Sequence, residues 1–218
     1  MNGDPRSGPA HDAWVQARLG KVTASRVADV MAQTKKGPSE RRSHYLAELI
    51  AERLTGLPKD QPLTGAMLWG LETEPLARNA YEAATETRVW ETGFVRHPEI
   101  LMAGCSPDGL VGLDGLIEIK CPQSLTHVET LIAGAVPERH RAQIQWQLAC
   151  TGRQWCDFVS FDPRMSGKPR LFIDRVARDD AQITLMEEQV SLFLAELEGL
   201  MTFLTGARQD YLDTAIPF

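Results

Sequence analysis

The sequence predicts one α/β domain, a central mixed sheet flanked by helices. Three observations predict it. Apolar residues recur at helical spacing through the N-terminal part, as in "SHYLAELIAERL". Short apolar runs punctuated by Gly, Pro and Asp, from Arg88 to Pro122 and from Gln154 to Arg178, read as strands. No linker or low-complexity tract divides the 218 residues, and a 43% hydrophobic content can fill a core. The domain is expected over residues 12–218, after a flexible tail over 1–11.

The elements follow in order. "DAWVQARLGKVTASRVADVMA" reads as helix, break at Gly20, helix; Thr23 or Ser25 caps the second piece, with Val27, Val30 and Met31 on one face. "KKGPSE" is a loop. "SERRSHYLAELIAERLTG" is a helix with Tyr45, Leu46, Leu49, Ile50 and Leu54 in its stripe and Gly56 as its stop. After the loop "KDQPLTG", "AMLWGLETEPLARNAYEAATE" is a helix whose apolar face holds Leu71, Leu76, Ala80 and Tyr81. "RVWETGFVRHPE" reads as a strand pair, "LMAGCSPDGLVG" as a strand entering a turn, and "GLIEIKCP" as a strand ended by Pro122. "HRAQIQWQLACTG" is a helix, and two strands around "FDPR" follow. The last helix carries Met186, Val190, Phe193, Leu197, Leu200 and Leu204, capped by Asp179 or Asp180.

Composition narrows the function. No apolar run approaches the roughly 18 residues of a membrane span, and no secretion signal is visible, so a cytoplasmic protein is expected. Cys105, Cys121, Cys150 and Cys156 form no C-x-x-C pair and read as free thiols. The net charge of −6 argues against nucleic acid, but its distribution does not. Trp14 to Arg53 holds eight Lys/Arg against four acids, net +4, while Asp179 to Gly206 holds six acids and no Lys or Arg. On charge alone, ordinary solvated helix faces are the favoured reading of that pattern.

The stretch "SPDGLVGLDGLIEIKCP" carries the chemistry. Side chains alternate along a strand, so Glu118 and Lys120 share one face while Ile117 and Ile119 take the other. Gly109, Gly112 and Gly115 permit a turn that brings Asp108 across from Glu118. Two carboxylates and a backbone carbonyl such as that of Ile119 form an all-oxygen site for a hard cation, Mg²⁺ or Mn²⁺. Lys120 beside it can orient or help deprotonate a water, and can balance charge on a phosphate. Metal-dependent phosphodiester hydrolysis is the chemistry implied. A plain Glu118–Lys120 surface pair is the bland alternative.

The motif resembles the P-D…(D/E)-x-K core of the restriction-endonuclease-like nucleases. From about Asp12 to Arg178 the chain resembles the phage lambda exonuclease and YqaJ-type viral recombinase family, through "DAWVQARLGKVTAS", "LWGLETEPLAR", "CSPDGL", "IEIKCP", "AQIQWQL" and "FVSFDPRM" in that order. The resemblance implies a Mg²⁺-dependent 5′→3′ exonuclease on double-stranded DNA, with two ions per site and Mn²⁺ as an alternative. It would release 5′-mononucleotides and leave a 3′ strand for annealing-type recombination. It also implies a ring-shaped homotrimer, a single-strand annealing protein as partner and a phage or prophage setting in a bacterial cell. Asp108, Glu118 and the Ile119 carbonyl become metal ligands and Lys120 the catalytic lysine. Glu74, otherwise a solvated helix glutamate, would help place the second metal or the water. Gln143, otherwise a helix-surface residue, would stand near the nucleophile. Arg18, Ser25 and Ser106 would grip a 5′-phosphate. Met67 falls at the place of an apolar wedge, or is a core Met, and Lys35 at that of a basic loop residue near the duplex. The other readings are a site-specific or structure-specific endonuclease on the same core, and an inert DNA-binding scaffold.

Overall fold

The structure, a computed structural model, describes residues 8–35, 37–59, 62 and 64–214, with side chains as far as Gly206. In chain order the elements are α1 (Pro9–Arg18), β1 (Val22–Thr23), α2 (Val27–Val30), β2 (Gln33–Thr34), β3 (Gly37–Pro38), α3 (Glu40–Thr55), α4 (Gly65–Thr85), β4 (Val89–Trp90), β5 (Val95–Arg96), β6 (Ala103–Cys105), β7 (Gly109–Val111), β8 (Gly115–Lys120), α5 (Ser124–Ala133), α6 (Glu138–Thr151), β9 (Trp155–Phe161), β10 (Leu171–Ala177) and α7 (Asp180–Thr214). Residues 1–7 of the expected tail lie outside the described residues, and α1 already begins within its last part.

The main sheet runs β10-β9-β8-β7-β4, with β8 and β9 parallel and every other pairing antiparallel. This is the mixed, largely sequential sheet that the sequence predicts. β8 lies at its centre and is buried on both faces. Ile117 and Ile119 join Ala77 and Tyr81 of α4 in one apolar cluster. Leu116 faces the larger cluster, built with Phe158, with Ile144, Trp146 and Leu148 of α6, and with Met186, Val190, Phe193 and Leu197 of α7. A smaller sheet runs β1-β6-β5, and β2 and β3 form a ribbon.

Local chemistry accounts for the clearest helices. Ser39 accepts from the Arg42 amide at 3.2 Å at the start of α3, and Gly56, at φ 68°, ends it. Asp179 Oδ1 accepts from the Gln182 amide at 3.0 Å at the start of α7. The basic and acidic segments meet here: Arg42 pairs with Glu196 at 2.8 Å, and Arg53 with Glu198. Part of the charge asymmetry is therefore α3 holding α7.

Several expectations change. The second helical piece is one turn, α2, preceded by the strand β1 and a 3₁₀ turn, and neither Thr23 nor Ser25 caps it with its side chain. The loop around "KKGP" contains the β2–β3 ribbon. β4 and β5 do not pair with each other: β4 joins β7 in the main sheet and β5 joins β6 in the smaller one. α5 was not expected. In α4 the buried ridge is Thr73, Ala77 and Tyr81, whereas Leu71 and Leu76 are 43% and 52% exposed. Small residues on that ridge let the helix approach the sheet. Leu200 and Leu204 are exposed because α7 runs past the core.

Of the three glycines in the hairpin, Gly112 makes the turn, at φ 53°. Gly109 and Gly115 serve packing instead. A Cβ on Gly109 would strike Val89, and one on Gly115 would strike the Trp155 ring.

Candidate active site

The β7–β8 register pairs Gly109 with Ile117, so the preceding residue, Asp108, comes up to Glu118 at the open end of the hairpin. Asp108 Oδ2 accepts from the Ile119 amide at 2.6 Å. Glu118 projects toward α6 and is 1% exposed. A carboxylate in such a place is tolerated only when fully hydrogen-bonded. Gln143 Nε2 donates to its Oε1 at 2.6 Å and Gln147 Nε2 to its Oε2 at 2.6 Å. Lys120 forms an ion pair with Oε1. The two glutamines are four residues apart on α6, so one helical face supplies both amides.

The charges here are crowded. Burial, then Glu118 and Glu74, push the Asp108 carboxyl well above the usual range, against the pull of Lys120 and the Ile119 amide. Burial also raises Glu74, opposed chiefly by Arg78. Burial opposes the charge on Lys120, but Glu118 and Asp108 outweigh it and hold the ammonium form above its ordinary range. An ammonium so held can donate to a water or balance phosphate charge.

Arg78 was not singled out in the sequence. Its Nη2 donates to Glu74 Oε1 at 3.0 Å and to the Asp108 carbonyl at 3.2 Å, joining α4 to the Pro107–Asp108 turn. Its spacing of four from Glu74 on a helix was the available signal. Gln147 was missed too, although it repeats Gln143 one turn on.

A cleft of about 1350 Å³ runs along the site, and Arg18, Ser25, Met67, Glu74, Asp108 and Lys120 all line it. Ile119, itself buried, lines it as well. Arg18 Nη1 donates to Ser106 Oγ at 3.2 Å, and the guanidinium lies 4.2 Å from the Trp14 ring centre. Trp14 Nε1 donates to the same Ser106 Oγ at 3.0 Å. Burial lowers the Arg18 pKa. Among the described residues no carboxylate forms an ion pair with Arg18. A partly desolvated guanidinium without a counter-ion suits an anion. Ser25 is exposed at the cleft. Met67, 39% exposed, is not a core methionine. Lys35 sits in the turn of the β2–β3 ribbon and does not line the cleft.

Among the described residues no three His, Cys, Asp or Glu side chains are placed to hold one ion by themselves. The donor set nevertheless fits a hard cation. Asp108, Glu118 and the Ile119 carbonyl offer oxygen only, and Mg²⁺ ordinarily completes its shell with water and substrate phosphate. The carboxylate crowding that raises Asp108 is what a cation would relieve.

The YqaJ-like viral recombinase domain matches residues 13–154, well over half of the chain. The chain is similar to the alkaline exonuclease LHK-Exo of Laribacter hongkongensis, at 50% identity over 91% of this chain and 98% of that one, with a TM-score of 0.84. The structure of LHK-Exo in complex with dAMP gives the same identity and coverage with a TM-score of 0.86. A phage related exonuclease from Haemophilus somnus 129PT shares the fold at 16% identity, over 84% of this chain and 96% of that one, with a TM-score of 0.64. Among curated proteins none matches the chain.

Proposed function

This chain belongs to the YqaJ-like viral recombinase family, and on that premise we propose that it is a metal-dependent 5′→3′ exonuclease acting on the ends of double-stranded DNA. The observation that carries the reading is one cleft lined both by Arg18, with its anion pocket, and by Glu74, Asp108 and Lys120, with Glu118 buried behind Lys120. The pocket suits the 5′-phosphate of a chain end, and the carboxylate group suits the next phosphodiester. The 50% identical exonuclease whose structure contains dAMP, a 5′-mononucleotide, supports the product class.

Arg18 and Ser106, with Ser25 beside the cleft, bind the terminal phosphate and set the register of the strand. Asp108, Glu118 and the Ile119 carbonyl would hold Mg²⁺, with Glu74 in reach of a second ion. Bound there, the metal would lower the pKa of water and neutralise phosphate charge. Gln147 fixes Glu118 from below, and Arg78 fixes Glu74 and the Asp108 backbone. Lys120, kept protonated, donates to the water or to a non-bridging phosphate oxygen as charge builds. The new end again carries a 5′-phosphate, which Arg18 can take up for the next cycle. Met67, at the cleft wall, serves as the apolar contact to the end base pair, and Lys35 approaches the duplex farther out.

We extend to this chain the homotrimer and the annealing partner that the resemblance implies; light scattering tests the first and co-purification the second. Its work on DNA belongs to the cytoplasm of a bacterial cell. Among the described residues no helix is long and apolar enough to cross a membrane. Incubating a linear duplex with the protein and Mg²⁺ tests the reading. Acid-soluble mononucleotides should appear, and EDTA should stop them. Equal release with EDTA would reject the metal.

A further inference from the structure

The cleft continues past Lys120 on the side away from Arg18. Arg18 and Ser106 approach the site from the β6–β7 side of β8. Across β8 lies β9, where Ser160 stands in register with Lys120. Ser160, Phe158, Thr130, Arg139 and His140 line this stretch. Its hydroxyls are already committed. Ser160 bonds His127 Nδ1 at 2.7 Å, and Thr130 donates to the Thr126 carbonyl at 3.0 Å. Two donors remain, Arg139 and His140.

His140 is set in one tautomer. Its ring stacks on Phe158 with centroids 5.4 Å apart. Arg139 Nε, which always carries its hydrogen, donates to His140 Nε2 at 3.2 Å. The neutral ring therefore carries its proton on Nδ1. Among the described residues this N–H makes no hydrogen bond, nor is it an enclosed polar atom. Burial, then the charges of Lys120 and Arg139, push the pKa of His140 down to about 4, so the ring is neutral at working pH. Both residues lie in the first turn of α6, whose N-cap, Pro137, offers no side-chain acceptor. The neighbouring Glu138 is engaged by Arg141 at 3.3 Å. Arg139 is exposed and makes no ion pair among the described residues.

We propose that the His140 Nδ1–H and the Arg139 guanidinium bind a backbone phosphate of the cut strand, the one that follows the scissile linkage on its 3′ side. The site offers donors, a positive charge and a helix N-terminus, and its two hydroxyls spend their protons within the fold. That suits phosphate. The proposal rests on the exonuclease reading for the direction of the strand. Its role is positioning: with the terminal phosphate at Arg18 and a later one at His140, the scissile linkage is stretched between two fixed points.

The test measures binding of a 5′-phosphorylated linear duplex in EDTA, where no cleavage occurs, by fluorescence anisotropy. An Asn amide nitrogen takes the place of Nδ1, and a Gln amide that of Nε2. His140→Ala and His140→Gln should therefore weaken binding about tenfold, the weight of one hydrogen bond to a charged group, while His140→Asn stays close to wild type. One neutral methylphosphonate at the second linkage from the 5′ end should weaken the wild type by about the same factor and His140→Ala no further. Arg139→Ala should reduce the salt slope of binding by about one. Equal affinity of His140→Ala and wild type would overturn the proposal. So would a methylphosphonate penalty of the same size in both, or wild type that does not bind the duplex. The exonuclease reading fails separately, if wild type binds this duplex but releases no nucleotide from it when Mg²⁺ is added.

Discussion

Gln147 Nε2 lies 2.6 Å from Glu118 Oε2, and both side chains are closed off from solvent. The other oxygen of Glu118 is held by Gln143 and Lys120, so the carboxylate is satisfied on every side that the protein reaches. Replacing Gln147 with Leu leaves a buried charge short of one partner. Such a loss costs about 1.5–3 kcal/mol. Urea unfolding of Gln147→Leu should show that fall, with DNA cleavage reduced beyond what the unfolded fraction explains. Unchanged stability would mean that Glu118 does not depend on this amide.

Lys120→Ala should abolish cleavage, by at least about a thousandfold, while leaving DNA binding in EDTA within severalfold. The lysine is paired with Glu118 at rest and acts on charge that appears only during reaction. Parallel loss of binding and cleavage would make it a docking residue.

Arg78→Ala should lower kcat about 10–100-fold and raise the Mg²⁺ concentration needed for half-maximal rate, the usual penalty for removing a group that orients metal ligands. It releases Glu74 and the Asp108 carbonyl together. Calorimetric titration with Mn²⁺ gives the same answer without turnover. An unchanged metal requirement would reduce Arg78 to a scaffold residue.

The part of the site that could be read in advance is local. Alternation along "LIEIK" and the spacing of the Gly112 turn bring Asp108, Glu118 and Lys120 together without reference to any distant element. Gln147, Arg78, Arg139 and His140 matter because α6 and α4 pack against β8, and nothing near them in sequence announces that. The fold divides the same way. α3 shows its cap, stripe and stop within its own residues. The partners of β4 and β5 are set by β7 and β6, and a sequence window around "RVWETGFVRHPE" makes them look like a hairpin. In α4 the larger Leu71 and Leu76 outweighed Thr73 and Ala77 in the pattern, although the sheet selects the small residues.

His140 also predicts acid sensitivity. Its pKa is about 4 in the fold, against an ordinary value of 6.5. Below pH 6.5 the unfolded chain takes up a proton that the fold refuses. Stability is thus complete above that pH and is lost as pH falls toward 4, by about 2 kcal/mol once solvent on the exposed side of the ring is allowed for. Urea midpoints at neutral pH and near pH 4.5 should differ less in His140→Asn than in wild type. Equal pH dependence would show that the ring protonates freely in the fold.

The most direct test of the central claim uses a linear duplex with a different label on each strand, carrying 5′-phosphate or 5′-hydroxyl, beside a closed circular plasmid, all with Mg²⁺. The account predicts mononucleotides from the 5′ end of each strand, about tenfold faster or more from phosphorylated ends, with the plasmid intact. In Arg18→Ala that preference should disappear. Nicking of the plasmid, or release from the 3′ end, would contradict an exonuclease guided by the Arg18 pocket.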